Sequence, residues 1–95
     1  MEIRAIYPTP FNEVCSIYCF LRKPATVKAI VYDVAGEPVR TWSETFTAPG
    51  KIVLEWKGDN DSGARCSFGA FILRLSTEAT DGDTDLDWGR LAISR

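Results

Sequence analysis

The sequence contains no histidine among its 95 residues, and this absence removes the commonest catalytic base and metal ligand. No ordinary Ser-His or Cys-His pair is available to activate a nucleophile. No glycine-rich loop opens a helix that would cradle a phosphate. A domain of this size also uses its interior for packing, so we predict that the chain is not an enzyme and that it takes no cofactor.

Long apolar runs and a strong charge of either sign are also missing. No stretch approaches the roughly 20 apolar residues of a membrane-spanning helix. The start Met1-Glu2-Ile3-Arg4 lacks the charged and apolar regions of a signal peptide. The net charge of -2 gives no electrostatic attraction to nucleic acid. We therefore expect neither membrane insertion nor a nucleic-acid partner.

Cysteine is scarce and odd in number, with Cys15, Cys19 and Cys66. Cys15 and Cys19 lie in a strand-like segment, which puts their Cα atoms about 13 Å apart, beyond the ~7 Å limit for a disulfide. Cys66 could pair with either across the fold, but we expect three small buried side chains. Zinc is disfavoured because the Cys-x-x-Cys spacing is absent. The odd count favours a reducing compartment.

Composition and length indicate one domain, residues 1–95. With 45% hydrophobic and 25% charged residues, the chain has the balance of a globular domain. A chain of this length buries roughly 60–65% of the surface that it would expose when unfolded, which is enough to fold without a metal.

Alternating apolar and polar residues predict an all-β fold. The runs 14–21 and 27–31 each place every second residue on one face, and Pro24 lies in the short connection between them. We predict that these two runs are neighbours in sequence with an antiparallel arrangement. Further strands are predicted at 38–46, with a break or bulge, and at 52–56, 69–75 and 88–94, separated by turns at 33–36, 48–50 and 58–63.

About seven strands with regular turn signals fit an immunoglobulin-like β-sandwich of two antiparallel sheets. We count a strand at the start of the chain as the first. In that architecture the second strand (14–21) and the fifth (52–56) share one sheet, and the third (27–31) and the sixth (69–75) share the other. Large aromatic and alternating aliphatic side chains form the predicted core, which comprises Phe11, Ile17, Val31, Trp56, Phe71 and Leu75.

Four short elements occur in order along the chain. They are Tyr7-Pro8-Thr9-Pro10-Phe11-Asn12, Val31-Tyr32-Asp33-Val34-Ala35-Gly36, Trp56-Lys57-Gly58 and Asp61-Ser62-Gly63. Their order and spacing resemble the FlgD-type Ig-like domain family, named for the flagellar hook-capping protein and similar to C-terminal modules of secreted bacterial proteins. Thr9, Glu13 and Lys57 depart from the family pattern.

The resemblance runs from about residue 6 to the C-terminus. It implies an Ig-like sandwich that acts as a binding or assembly module in bacteria, in an extracellular or periplasmic location. A cytoplasmic location stays open, because the chain carries no signal peptide and has an odd number of cysteines.

Aspartates at alternate positions suggest a calcium loop at first sight. The segment comprises Asp81, Asp83, Asp85 and Asp87. An EF-hand loop needs glycine at its sixth position and glutamate at its twelfth, where this chain has Leu86 and Ala92. We interpret this segment, like residues 59–61, as a solvated loop.

The outward faces of the predicted sheets carry the functional prediction. One face groups three apolar residues with two cations, and we predict it as a protein interface: Ile30, Tyr32, Ile72, Lys28 and Arg74. A similar apolar group on the other sheet comprises Tyr18, Phe20 and Val53. A loop or terminal segment that covers either group is the competing explanation.

The predicted function is a non-catalytic structural module that docks onto other subunits of a larger bacterial protein assembly. One alternative is a carbohydrate- or cell-surface-binding module, with Trp42 and Trp88 as stacking platforms for a glycan. Another, implied by the resemblance, is a C-terminal sorting module of the type IX kind. That role requires a preceding cargo domain, whereas this chain begins at its first strand, so we expect docking.

Overall fold

Two antiparallel sheets form the structure, a computed structural model that describes residues 1–94. The strands are β1 (Glu2–Tyr7), β2 (Cys15–Leu21), β3 (Ala25–Tyr32), β4 (Pro38–Phe46), β5 (Gly50–Trp56), β6 (Gly69–Ala79) and β7 (Thr84–Ile93). One sheet has the order β1-β2-β5 and the other β4-β3-β6-β7. The predicted all-β sandwich is confirmed. No helix long and apolar enough to cross a membrane occurs among the described residues.

The core lies between the inward faces of the two sheets. Along β2, β3, β5 and β6, every second side chain is buried, because a strand points successive side chains to opposite faces. The six side chains that the sequence suggested for the core all lie in this interior: Phe11, Ile17, Val31, Trp56, Phe71 and Leu75.

β2 and β3 follow each other along the chain but lie in different sheets. β2 pairs with β1 and β5, whereas β3 pairs with β4 and β6, so residues 22–24 carry the chain from one sheet to the other. The inward faces of β2 and β3 are apolar, and both belong to the one buried core. The predicted sharing of sheets by β2 with β5 and by β3 with β6 is confirmed.

The last strand begins at Thr84, four residues before the predicted start, so Asp85 and Asp87 belong to a strand and the solvated-loop interpretation of them is wrong. Their alternation is that of a strand face and not of a loop. Both carboxylates are directed at β1: Asp85 forms an ion pair with the amino group of Met1, and Asp87 Oδ2 accepts the backbone N–H of Ile3 at 2.9 Å.

β1 and β7 therefore meet at a seam held by side chains, without a backbone ladder. Gly89 leaves space for the Ile6 side chain, because a Cβ atom at position 89 would lie 2.6 Å from Ile6 Cδ1 and that side chain would have to shift. The Asp87 carboxylate accepts the hydrogen bond that the Ile3 N–H of β1 would otherwise donate to a neighbouring strand. Inward-pointing charges of this kind block further strand pairing at a sheet edge.

The proline-containing segment after β1 crosses from one sheet to the other. β1 pairs with β2, whereas Phe11 pairs with Ile93 of β7 in the other sheet. The Phe11 N–H donates to Ala92 O at 2.9 Å, and the Ser94 N–H donates to Phe11 O at 2.8 Å. Thr9 Oγ1 accepts a further N–H from Ala92 at 3.0 Å. The segment thus acts as a strap whose Phe11 ring enters the core.

Trp56 is the largest fully buried side chain, with 1% of its surface exposed. Its ring packs edge-on against Phe11, with centroids 5.6 Å apart, and against Phe71 at 5.2 Å. The indole N–H donates to Asp59 O at 2.9 Å, so the one polar atom of the side chain is satisfied. Trp56 joins β5 to the strap and to β6.

Trp56→Ala should lower the free energy of unfolding by about 3–5 kcal/mol, because it leaves a cavity between the rings of Phe11 and Phe71. Chemical denaturation followed by circular dichroism measures the loss. Trp88→Ala is the matched control, because Trp88 is 53% exposed, and it should cost less than about 1 kcal/mol. A Trp56→Ala protein with unchanged unfolding would contradict the assignment of Trp56 as the core anchor.

Asp87→Ala should lower the free energy of unfolding by about 1–3 kcal/mol, because the Ile3 N–H loses a charged acceptor in a partly buried position. Amide hydrogen exchange should show faster exchange at Ile3 than in the parent chain. Asp83→Ala serves as the control, since Asp83 is exposed and bonds only at the surface to Lys23. Equal losses in both variants would rule out a specific role of Asp87 in the seam.

Candidate functional site

Strand register arranges the outward side chains of the four-stranded sheet in rows that cross β3, β6 and β7. The three central rows read Tyr32, Ile72 and Arg90; Ile30, Arg74 and Trp88; and Lys28, Ser76 and Leu86. We call these nine residues the four-strand face. Beyond them β4 contributes Thr41 and Ser43, and a last row contributes Thr26, Glu78 and Thr84. Apolar residues are therefore concentrated toward one end of the face, and hydroxyl groups toward the other.

All five residues of the predicted interface lie on the four-strand face. Ile30 pairs with Arg74, and Tyr32 pairs with Ile72, in adjacent rows of β3 and β6. Ile30 and Tyr32 are half-buried by their neighbours, whereas Ile72 is 43% exposed. At that exposure no loop within residues 1–94 covers Ile72, so the apolar group faces solvent in the isolated chain.

β7 enlarges this apolar group with Trp88, which is 53% exposed, and Leu86, which is 45% exposed. The Trp88 ring lies 6.4 Å from that of Tyr32, and the Arg74 guanidinium carbon lies 5.8 Å from the Trp88 ring centroid. The latter distance is that of a cation–π contact. Tyr32, Arg74 and Trp88 thus form one connected surface.

The sequence prediction of the interface missed Leu86 and Arg90, and it placed Trp88 in a different hypothesis. The omission of Leu86 follows from starting the last strand at Trp88, because Leu86 then lies outside the predicted sheet, whereas Arg90 lay within the predicted strand. The alternation of Leu86, Trp88 and Arg90 against the inward Asp85, Asp87 and Gly89 is the signal that identifies them.

Trp42, proposed from the sequence as an exposed stacking platform, faces the interior. It pairs with the small, fully buried Ala29 and packs against the core while remaining half-buried. β4 has one extra residue opposite the Val31–Tyr32 step, and this bulge shifts the register of the strand. The prediction for Trp42 is therefore wrong.

The carboxylates of the acidic segment are bound within the chain. Lys23 Nζ lies 2.8 Å from Asp81 Oδ2 and 3.1 Å from Asp83 Oδ2, and these hydrogen bonds lower the pKa of Asp81 and raise that of Lys23. A hydrogen bond from the amino group of Met1 likewise lowers the pKa of Asp85. Within residues 1–94 no three acidic or cysteine side chains are grouped to hold a metal ion.

The thiols of Cys15 and Cys19 are buried among apolar side chains and are poorly reactive. Desolvation raises the pKa of Cys15 to about 11, and desolvation together with the nearby Asp87 charge raises the pKa of Cys19 to about 11. Both remain protonated at neutral pH, and a protonated thiol is a poor nucleophile. Cys66 is only half-buried at the edge of the core, so the expectation of three buried side chains holds for two of them.

The second apolar group lies on the outer face of the three-stranded sheet, where Tyr18 pairs with Val53. A shallow groove of about 330 Å³ runs along it. The Arg4 guanidinium lies over the Phe20 ring, 5.3 Å from its centroid, and its Nε is 2.6 Å from a Glu2 carboxylate oxygen. Part of this group is therefore covered by the chain itself.

No protein-family model and no curated protein matches the sequence. Several solved structures share the fold. The crystal structure of FlgD from Xanthomonas campestris, described as giving insight into the hook capping essential for flagellar assembly, superposes with a TM-score of 0.76 at 16% identity. The match covers 96% of this chain and 66% of that chain.

The crystal structure of dimeric latent PorU from Porphyromonas gingivalis superposes with a TM-score of 0.79 at 16% identity, over 94% of this chain and 9% of that chain. The chain thus corresponds to a part of each of these longer proteins. At this identity the likeness concerns the fold, and the chain has the sandwich fold found in FlgD and in PorU.

Proposed function

We propose that the chain is a non-catalytic module that docks onto another protein subunit of a larger assembly through the four-strand face. The observation that carries this proposal is the apolar surface formed by Ile30, Tyr32, Ile72, Leu86 and Trp88 on the solvent side of a sheet. A sheet with one face on the core normally turns polar residues to water on its other face. Contiguous exposed apolar surface marks interaction sites.

The composition of the face fits a protein partner. Tryptophan and arginine, together with tyrosine, are enriched where protein interfaces concentrate their binding energy, and here Trp88 contacts both Tyr32 and Arg74. Tyr32 and Arg74 lie on the central strands β3 and β6, and Trp88 lies on the edge strand β7, which pairs with β6 along its length. A face held by paired strands loses little freedom on binding.

The glycan hypothesis receives less support. Of its two platform residues, Trp42 packs against the core, and Trp88 already contacts Tyr32 and Arg74 of this chain. The sorting hypothesis stays a prediction, because no contact within the chain bears on it.

Ile72→Thr should change the free energy of unfolding by less than about 1 kcal/mol, because the side chain is 43% exposed and threonine suits a strand. The adjacent Leu73 is fully buried, so Leu73→Thr should cost about 2–5 kcal/mol. Chemical denaturation of both variants checks the contrast. An Ile72→Thr loss as large as that of Leu73→Thr would mean that Ile72 serves the fold and not a partner.

A photo-crosslinking amino acid at position 72, expressed in the natural host, should give a discrete light-dependent adduct with another protein, identified by mass spectrometry. Position 53 is the matched control, because Val53 is a strand residue that is 47% exposed on the opposite face. We expect an adduct from position 72 and none from position 53. The absence of any adduct at position 72, or the same adducts from both positions, would refute docking through the four-strand face.

A further inference from the structure

Three cations cross the four-strand face in a straight diagonal. Lys28 on β3 is opposite Ser76, Arg74 on β6 is opposite Trp88, and Arg90 on β7 is opposite Ile72, so each cation is displaced by one row from the last. Diagonal neighbours on adjacent strands have side chains about 7–8 Å apart. Lys28, Arg74 and Arg90 therefore occupy successive positions of one diagonal across β3, β6 and β7.

These cations have no anionic partner within the described chain. Arg4, Lys23 and Arg40 each lie within 4.0 Å of a carboxylate oxygen, whereas none of the carboxylates in residues 1–94 forms an ion pair with Lys28, Arg74 or Arg90. The chain as a whole is acidic, with a net charge of -2. The diagonal is thus a local cationic feature that the fold itself does not use for an ion pair.

Apolar side chains flank the diagonal on both sides. By register, Ile30, Tyr32 and Ile72 lie on one side of the diagonal, and Leu86 and Trp88 lie on the other. The rings of Tyr32 and Trp88 approach each other across it, with centroids 6.4 Å apart. A ligand that follows the line must therefore present negative charge along its axis and apolar groups beside it. Ile72 and Leu86 are aliphatic, and they gain nothing from the hydroxyl groups of a sugar.

We propose that the docking partner presents an extended, acidic segment of a protein, with carboxylates at alternate positions along the diagonal and apolar side chains beside them. This inference rests on the proposed function and names its partner. Alternate residues of a strand are about 7 Å apart, which is close to the spacing of the three cations. Arginine also binds a carboxylate through two parallel N–H donors, which fixes its orientation.

A second copy of this chain is not the partner that the charges favour. Its own alternating aspartates, at positions 81–87, are already bound to Lys23, to the amino group of Met1 and to the Ile3 backbone. Two four-strand faces brought together would also oppose one set of cations to the other. Charge complementarity therefore selects a different, acidic protein.

The test is an NMR titration of the isotopically labelled chain with two synthetic nine-residue peptides. One carries aspartate at alternate positions with valine or leucine between, and the other carries lysine in place of each aspartate. The acidic peptide should shift amide resonances of β3, β6 and β7, less strongly at high salt. The lysine peptide should leave them unchanged.

Charge variants locate the binding. The double variant Arg74→Gln, Arg90→Gln should bind the acidic peptide with roughly tenfold lower affinity. The double variant Arg4→Gln, Arg65→Gln loses the same charge elsewhere and should bind the peptide with unchanged affinity. Unaltered resonances of the core verify that each variant is folded. Equal binding of both peptides, equal effects of both variants, or binding of oligogalacturonate in place of the acidic peptide would overturn the inference.

The crosslinking experiment separates this inference from the proposed function. An adduct at position 72 that persists undiminished after Arg74→Gln and Arg90→Gln would overturn the acidic partner and leave docking through the face intact. Loss of the adduct in that variant, with retention in Arg4→Gln and Arg65→Gln, would support both. The absence of any adduct from the parent chain would refute the proposed function itself.

Discussion

The burial of Trp56 holds together parts of the sandwich that no backbone ladder connects. Its ring contacts Phe11 of the strap and Phe71 of β6, while its N–H fixes Asp59 at the start of the β5–β6 loop. That loop then reaches β4, where the Asp61 N–H donates to Val39 O at 2.9 Å and the Asp61 carboxylate accepts the Thr41 N–H at 2.9 Å. A single side chain thereby orders contacts on both sides of the core.

The seam between β1 and β7 has a direct consequence for the candidate site. The inward side of β7 carries Asp85, Asp87 and Gly89, which hold β1 or make room for it. Because these contacts fix the strand, its outward Leu86 and Trp88 are held in place beside β6. The residues that bind β1 and the residues that face solvent are alternate members of one strand, so the seam orders the three residues that β7 contributes to the four-strand face.

The alternation of apolar and polar residues predicted which strand residues are buried. Features that depend on a contact between residues far apart in the sequence were not predicted. Ile17 and Val31 alternate with polar neighbours, so their burial is visible in the sequence. The strand character of Asp85 and Asp87 is not, since aspartate disfavours strands and the stabilising contact of Asp87 is a backbone amide 84 residues away. Trp42 turns inward because of a bulge in β4, and a one-residue shift reverses every side chain that follows.

The two outer faces carry similar apolar groups but differ in how their cations are used. On the three-stranded sheet, Arg4 lies over Phe20 and pairs with Glu2, so its charge and part of the apolar surface are both satisfied within the chain. On the four-strand face, Arg74 also contacts an aromatic ring, but its charge has no carboxylate among the described residues. Apolar contact supplies affinity with little direction, whereas cations without an ion-pair partner favour an acidic partner in a defined orientation. That difference in charge, more than the apolar area, favours the four-strand face as the proposed docking surface.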